Sequence, residues 1–225
     1  MPHFVYNPPQ TPYLNILYQD DDIIVLNKPA GLLSVPGREK KHSDSLALRI
    51  LRVWPTACVV HRLDLATSGI IILAMRKSAQ SHMGRQFQQK VIEKTYYARV
   101  EGIIENDTGL VDLPIRCDWE NRPRQIVDFE QGKSSQTKWK VLKREQQTTL
   151  VELTPLTGRT HQLRVHMQQI GHPIVGDDFY ASEFGKQFSP HRLALHAGSI
   201  TLTHPSTEKR ISFDCPPAFV NEQQI

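Results

Sequence analysis

The sequence predicts an α+β protein built on a mixed, mainly antiparallel sheet with flanking helices. Short apolar or alternating runs outnumber the segments with helical periodicity, and the two kinds do not alternate strictly along the chain. That pattern argues against a doubly wound parallel sheet. Residues 14–18 and 23–27 flank Asp20-Asp21-Asp22 as the two strands of a hairpin would. Asn27-Lys28-Pro29-Ala30-Gly31 then stops the second strand with turn chemistry. Asp44 stands where an N-cap would stand, ahead of a helix with Leu46, Ile50 and Val53 on one face, and Trp54-Pro55 ends that helix. Ile70-Ile71-Ile72-Leu73-Ala74 is continuously apolar, the signature of a buried strand. Ser78 is placed to cap a second helix, with Ala79, Met83 and Phe87 spaced four apart. Further strands are expected at 95–101, 137–142, 150–154 and 197–202. A third helix is expected from near Thr160, with Leu163, Met167 and Ile170 as its stripe and Gly171 at its C-terminal cap. The stretch 102–135 is polar and turn-rich, and is expected to be a mobile excursion able to grip a substrate.

The chain has 225 residues, the length of one large domain or two small lobes. No apolar stretch is long enough to span a bilayer, and residues 1–9 lack the basic-then-apolar order of a secretory signal. Cys58, Cys117 and Cys215 are widely spaced and form no Cys-x-x-Cys pair. That argues against a disulfide framework and a cysteine zinc site, and fits a reducing cytoplasm. The 27 basic and 23 acidic residues leave a net charge of +4, which permits a polyanionic partner without demanding one. The distribution is more telling. Arg116, Arg122, Arg124, Lys133, Lys138, Lys140, Lys143 and Arg144 crowd one part of the chain, and Arg159, Arg164 and Arg192 follow.

The most informative run is His61-Arg62-Leu63-Asp64-Leu65-Ala66-Thr67-Ser68-Gly69. It sets Asp64 on a turn-like segment at the mouth of the buried strand. Alone, such a run is an Asx or Ser/Thr turn. Three other segments change its meaning: Asn27-Lys28-Pro29-Ala30-Gly31-Leu32-Leu33-Ser34-Val35-Pro36-Gly37, Glu93-Lys94-Thr95-Tyr96-Tyr97-Ala98, and Gly158-Arg159-Thr160-His161-Gln162-Leu163-Arg164-Val165-His166. In this order the four resemble the RluA family of pseudouridine synthases, and the resemblance runs over 6–219. Tyr6-Asn7-Pro8-Pro9-Gln10 and Cys117-Asp118-Trp119-Glu120-Asn121-Arg122-Pro123 are similar to the family's members that modify both ribosomal and transfer RNA.

The resemblance implies the pseudouridine synthase fold with a central active-site cleft. It implies a two-lobed catalytic domain over 14–219, without an S4 RNA-binding domain, between an extension at 1–13 and a tail at 220–225. The implied reaction detaches uracil from its ribose, rotates it and rejoins it through carbon. It needs neither a redox step nor an energy source, so no cofactor and no metal are expected, and no phosphate-binding Gly-x-x-x-x-Gly-Lys-Ser/Thr loop is present. Asp64 takes the catalytic role, as nucleophile or proton acceptor. Arg164 is implied to pair with it; a cation within ~4–6 Å favours the ionised carboxylate and holds its rotamer. Tyr96 offers a flat face for the uracil and a polar tip, while Tyr97, on the opposite strand face, suits the core. Arg62 lies two residues before Asp64 and is implied to fill the space a flipped base leaves, which a planar cation can do.

His61 and Arg159 from the same motifs, and Arg116, Trp119, Arg122 and Arg124 from the excursion, are the remaining candidates for RNA contact, by phosphate binding and base stacking. The implied partners are a tRNA anticodon stem-loop and a hairpin of large-subunit rRNA, unpaired loops read by shape. The expected enzyme is a cytoplasmic monomer with no membrane partner.

Other classes fit less well. His61, His161, His166, His172, His191 and His196 invite a zinc site, but His161 and His166 are five apart and diverge around a helix. His61, Asp64 and Ser68 lie within one short segment, without the Gly-x-Ser-x-Gly elbow of a hydrolase. A glycosidase needs two carboxylates, and the motif supplies one. A non-catalytic RNA-binding module is the more serious rival, yet it has no use for Asp64 among arginines, because a carboxylate repels phosphate.

Overall fold

The computed structural model describes residues 5–190 and 192–220. The chain forms two compact units. One holds the residues up to Ile92 together with Ser199–Cys215; the other holds Glu93–Gly198 and the residues from Pro216 on.

In the first unit, β1 (Ile16–Gln19) and β2 (Ile23–Lys28) form the expected antiparallel hairpin. Asp20 shapes its turn: Oδ1 accepts the N–H groups of Asp22 and Ile23 at 2.8 and 2.9 Å, an Asx turn. Helix α1 (Leu46–Leu51) is capped by Ser45, whose hydroxyl accepts the Leu48 N–H. Asp44, the expected cap, instead binds Arg49 through both oxygens, at 2.9 and 2.7 Å. A fully buried guanidinium needs a carboxylate more than a neighbouring hydroxyl needs help at the cap. The short β3 (Cys58–Val59) and the fully buried β4 (Ser68–Ala74) follow, and β3 pairs with β4. Helix α2 (Lys77–Gln89) starts two residues earlier than a cap at Ser78 predicts, with Arg76 at the cap and no side-chain cap bond. Its Met83 joins Ile23, Val25, Ile70, Ile72, Ile200 and Leu202 in a core against which Phe87 packs.

The register of β2 on β4 runs from Ile23↔Ala74 to Lys28↔Gly69. The ladder therefore ends where β2 finishes and β4 begins. The segments leaving it, 29–34 and 61–67, are brought side by side by that register alone.

The second unit is built from β5 (Glu93–Glu101), β6 (Thr108–Asp112), β7 (Ile115–Cys117), β8 (Gln125–Val127), β9 (Gln136–Arg144) and β10 (Thr148–Pro155). Antiparallel strands in the order β5-β10-β9-β6 form its sheet, and β7 and β8 make a separate ribbon. The stretch 102–135 is thus no structureless excursion. It carries three strands, one of them paired to β9 from Thr108↔Lys140 to Asp112↔Gln136. These strands are three to five residues long, too short to show the alternation that sequence patterning relies on. Helices α3 (Gln162–Gln169) and α4 (Glu183–Phe188) follow. Strand β11 (Leu195–Thr203) passes from the second unit to the first between Gly198 and Ser199, and its later residues pair with β12 (Arg210–Asp214). Gly198 leaves room for the Tyr97 ring, which a Cβ there would meet at 2.4 Å.

Gly176, next to the buried Asp177, has φ +74, and a Cβ there would lie 2.0 Å from the Arg192 carbonyl oxygen. Gly176→Ala should therefore cost at least about 1–3 kcal/mol. A thermal melt checks this: a fall in Tm of several degrees is expected, and an unchanged Tm would contradict the close approach.

Candidate active site

Asp64 sits on the segment that enters β4, half-buried. Its position is set by the residues on either side of it. Ser34 brackets Leu63, donating from Oγ to the Leu63 carbonyl at 2.7 Å and accepting the Leu63 N–H at 3.0 Å. The Leu65 carbonyl accepts from the Gly31 N–H at 2.9 Å and from Lys28 Nζ at 3.2 Å. The Asp64 carbonyl closes a turn by accepting the Thr67 N–H at 3.2 Å. All these bonds act on main-chain groups of the loop. Gly31, at φ +80, turns the chain so that its N–H can reach Leu65.

Lys28 is the centre of this clamp. It is fully buried, and its Nζ also donates to the carbonyls of Pro29 at 2.9 Å and Leu32 at 2.7 Å. Three carbonyls around one amine are the complement of an ammonium's three donors. Burial pulls its pKa down to about 7, and the charge of Asp64 opposes that fall. The Asn27–Gly37 run by itself assigns no role to Lys28, Gly31 or Ser34. The available signal was a lysine closing the otherwise buried strand β2.

Of the neighbours in the motif, Arg62 is exposed. His61 is engaged with the scaffold: its Nε2 accepts the Ile72 N–H at 3.0 Å, and its ring stacks on Phe87 at 4.8 Å between centroids. An imidazole accepting at Nε2 carries its hydrogen on Nδ1 when neutral. This geometry makes His61 a support for β4.

In the second unit, Arg164 lies on α3 and is buried. Its Nε and Nη2 donate to Asp177 Oδ2 and Oδ1 at 2.6 and 2.7 Å. The pair is almost wholly desolvated, with side chains 4% and 0% exposed. Asp177 Oδ1 also accepts the N–H groups of Phe179 at 2.9 Å and Tyr180 at 3.2 Å. Asp177 lies outside all four sequence motifs, so no signal in them points to it. Phe179 and Tyr180 flank the guanidinium, with ring centroids 5.3 and 5.2 Å from its carbon. The Tyr180 hydroxyl accepts the Gln125 N–H at 2.7 Å and shares a bond of 2.9 Å with His161 Nδ1. Burial pushes its pKa up to about 12, so the phenol stays protonated.

Helix α3 starts two residues later than Thr160, behind His161 in a left-handed conformation at φ 53. Gln162 holds the loop before it. Its Oε1 accepts from the Thr157 hydroxyl and the Arg159 N–H, and its Nε2 donates to the Gln136 carbonyl and the Thr137 hydroxyl. Every hydrogen-bonding position of this amide's polar head is engaged, which fixes Arg159 at an exposed corner. Tyr96 and Tyr97 are both half-buried on β5, opposite Leu153 and Glu152 of β10. Lys94, on the same strand, has its pKa lowered by burial.

The four candidates on the β7–β8 ribbon divide. Arg116 is committed to Asp128 at 2.6 Å and to the Cys117 carbonyl at 3.0 Å. Arg122 lies 3.7 Å over the ring of Trp119, which is 64% exposed. Arg124 is exposed beside Tyr180, 5.4 Å from its ring centroid. The ribbon thus offers an exposed cation–aromatic stack, while Arg116 braces its base.

The remaining histidines are distributed among separate tasks. His166 binds the Thr137 hydroxyl and the Leu113 carbonyl, and burial lowers its pKa. His172 donates from Nδ1 to the Glu101 carbonyl. His196 is buried on β11, and His191 lies outside the described residues. Among the described residues no three His, Cys, Asp or Glu side chains converge on a metal position, and no helix is long and apolar enough to cross a membrane.

A family model described as RNA pseudouridylate synthase matches residues 22–169, a span that includes Asp64, Tyr96 and Arg164. The chain is 51% identical over 224 residues to the dual-specificity RNA pseudouridine synthase RluA of Vibrio parahaemolyticus, covering 97% of this chain and 89% of that protein. It is 53% identical over 215 residues to the protein of the same name from Escherichia coli K12, covering 95% and 98%. Among solved structures, human RNA pseudouridylate synthase domain containing 1 superimposes with a TM-score of 0.78 at 31% identity, over 95% of this chain and 87% of that one. Human RNA pseudouridylate synthase domain containing 4 gives 0.73 at 26% identity, over 91% and 89%.

The Lys28 clamp has a pH signature. Its folded pKa of about 7 lies below the ordinary value of 10.5, so between the two the unfolded chain binds more protons, and stability rises with pH. The contribution is present above about 10.5 and lost as pH falls through about 7. Denaturant midpoints measured from pH 6 to 10 should show a rise in the native protein that Lys28→Met lacks. Parallel pH profiles for the two would contradict the assignment.

Proposed function

The chain belongs to the RNA pseudouridylate synthase family, and from that premise we propose that it isomerises uridine to pseudouridine in both a ribosomal and a transfer RNA. The sites we propose are a uridine in a tRNA anticodon loop and one in a hairpin of large-subunit rRNA. The double specificity is supported by relatives about half identical over nearly their whole length, whose names describe dual-specificity synthases.

The reaction breaks the bond from C1′ of the ribose to N1 of uracil and forms one from C1′ to C5. The proton on C5 is lost and N1 gains one, so atoms and electrons balance without an oxidant or a cofactor. We assign the catalytic carboxylate to Asp64, with Arg164 as its partner cation and Tyr96 as the surface for the base. The observation that carries this is the main-chain clamp around Asp64. The loop is held by Lys28, Gly31 and Ser34 through bonds to its backbone, which suits a carboxylate whose task is chemical. Reaction at a bonded ribose requires the base out of its stack, and exposed Arg62 is the planar cation we assign to the space it leaves. Arg159, Arg124 and the Trp119–Arg122 stack are the proposed RNA contacts. The geometry of Arg116 and His61 supports scaffold roles for both.

The proposed catalytic domain spans 14–219, and we infer a monomeric enzyme. The wide spacing of Cys58, Cys117 and Cys215 suits a reducing cytoplasm.

Asp64→Asn keeps the size of the side chain and removes its charge and basicity. It should abolish pseudouridine formation on an anticodon stem-loop while binding stays within about twofold. Turnover at the native rate would sink the mechanism; native binding without any turnover by the unaltered protein would return the chain to a non-catalytic RNA-binding module. Replacing Trp119 and Arg122 together by Ala should raise the RNA dissociation constant by roughly 5–150-fold, given about 1–3 kcal/mol per stacked base. It should also lower the salt slope by about 0.7–0.9 for the lost cation. Titrations at several salt concentrations check this, and unchanged affinity would make the ribbon an ordinary surface loop.

A further inference from the structure

We propose that Asp177 is a positioning residue for the isomerisation, fixing the direction of Arg164 through a buried two-point ion pair. The inference rests on the catalytic assignment of Arg164 made above.

Asp177 is unusual among the carboxylates of the chain. It is fully buried, and it accepts four hydrogen bonds: two from Arg164, one from the Phe179 N–H and one from the Tyr180 N–H. The two main-chain bonds fold the 177–180 turn around the carboxylate and so fix where it points. The two bonds from Arg164 engage Nε and Nη2, one edge of the planar guanidinium. Covalent geometry then turns Nη1 away from Asp177, in one direction only. A lysine in place of Arg164 would carry the same charge without the fork, and its ammonium would not inherit that direction.

The turn does a second thing. Tyr180 places its ring beside Arg164 and its hydroxyl on the Gln125 N–H of β8. Arg124, next in the chain to Gln125, lies 5.4 Å from the centroid of the same ring. The element that aims Arg164 is therefore built into the foot of the ribbon to which RNA contact is assigned. An isolated structural ion pair needs no such connection.

Double-mutant kinetics test the proposal. With saturating stem-loop RNA, Arg164→Met should lower kcat by about 10²-fold or more, and Asp177→Asn by a comparable factor, since small misplacements of a working group cost this much. RNA affinity should change less than about threefold in each. In the Arg164→Met background, Asp177→Asn should change kcat less than about twofold, because its effect runs through the arginine. If the Asp177→Asn factor carries over in full to that background, Asp177 acts only on the fold and the proposal fails. If Arg164→Met leaves kcat unchanged, the catalytic assignment of Arg164 fails instead. Arg164→Lys keeps the charge and does not depend on recovering folded Asp177→Asn. It should be nearly as slow as Arg164→Met, and native turnover in it would overturn the need for a two-point pair.

Discussion

The buried ammonium of Lys28 is the constraint on which the arrangement around Asp64 depends. Taking an ammonium out of water costs several kcal/mol, and here no carboxylate hydrogen-bonded to Nζ offsets the cost. Three carbonyls offset part of it, each a bond to a charged donor with a net contribution of about 1.5–3 kcal/mol, and the part left over shows as the lowered pKa. Those carbonyls belong to Pro29, Leu32 and Leu65, on two segments far apart in sequence. The bonds exist only if the 29–34 loop and the Asp64 loop stand together, so the penalty of burying Lys28 is partly offset only in the assembled site. The β2–β4 register makes this possible by ending both strands at Lys28↔Gly69. Ser34 and Gly31 add main-chain bonds on either side of Asp64. The result is a carboxylate whose loop is held by its main chain on both sides.

Arg164 follows the opposite strategy. Its side chain is tied at one edge to Asp177, and that carboxylate is in turn fixed by two backbone donors. A desolvated pair of this kind contributes little net stability compared with an apolar replacement of the same shape. Its value lies in direction. Phe179 and Tyr180 close over the guanidinium, which removes the rotamer freedom an exposed arginine would keep. Gly176 supplies the positive φ that lets the chain enter this turn beneath the Arg192 carbonyl.

Much of the fold was legible because it is written in apolar periodicity. The β1–β2 hairpin, the buried β4 and the stripe on α3 all come from side chains whose burial decides the local structure. The errors fall where polar chemistry decides. Asp44 and Ser45 are both good caps by type, and the choice between them was made by Arg49, a residue whose burial no local pattern announces. The strands β6, β7 and β8 are short; β6 is held by pairing with β9, and β7 and β8 by each other and by the Arg116–Asp128 bond, which are tertiary facts. At the site the motifs were visible as strings, and Asp64, Tyr96, Arg62 and Arg164 stand out in them. Lys28, Ser34 and Gln162 lay within the quoted strings too, yet their roles are defined by partners tens of residues away. Asp177 lay outside them altogether.

The same distinction changes what the basic composition means. The crowd of cations between 116 and 144 suggests a polyanion surface, but several of them are neutralised locally. Arg116 binds Asp128, Arg144 binds Asp107, and Lys143 approaches Glu145 at 3.7 Å. A cation already paired with a carboxylate releases fewer counterions from RNA, because its own charge is partly compensated before the ligand arrives. What distinguishes Arg122 and Arg124 is their setting on aromatic rings, Trp119 and Tyr180. An aromatic face attracts the guanidinium without cancelling its charge, so the cation is oriented and still able to meet phosphate. For a chain with a net charge of only +4, orientation of a few such cations is a more effective means of holding RNA than their number.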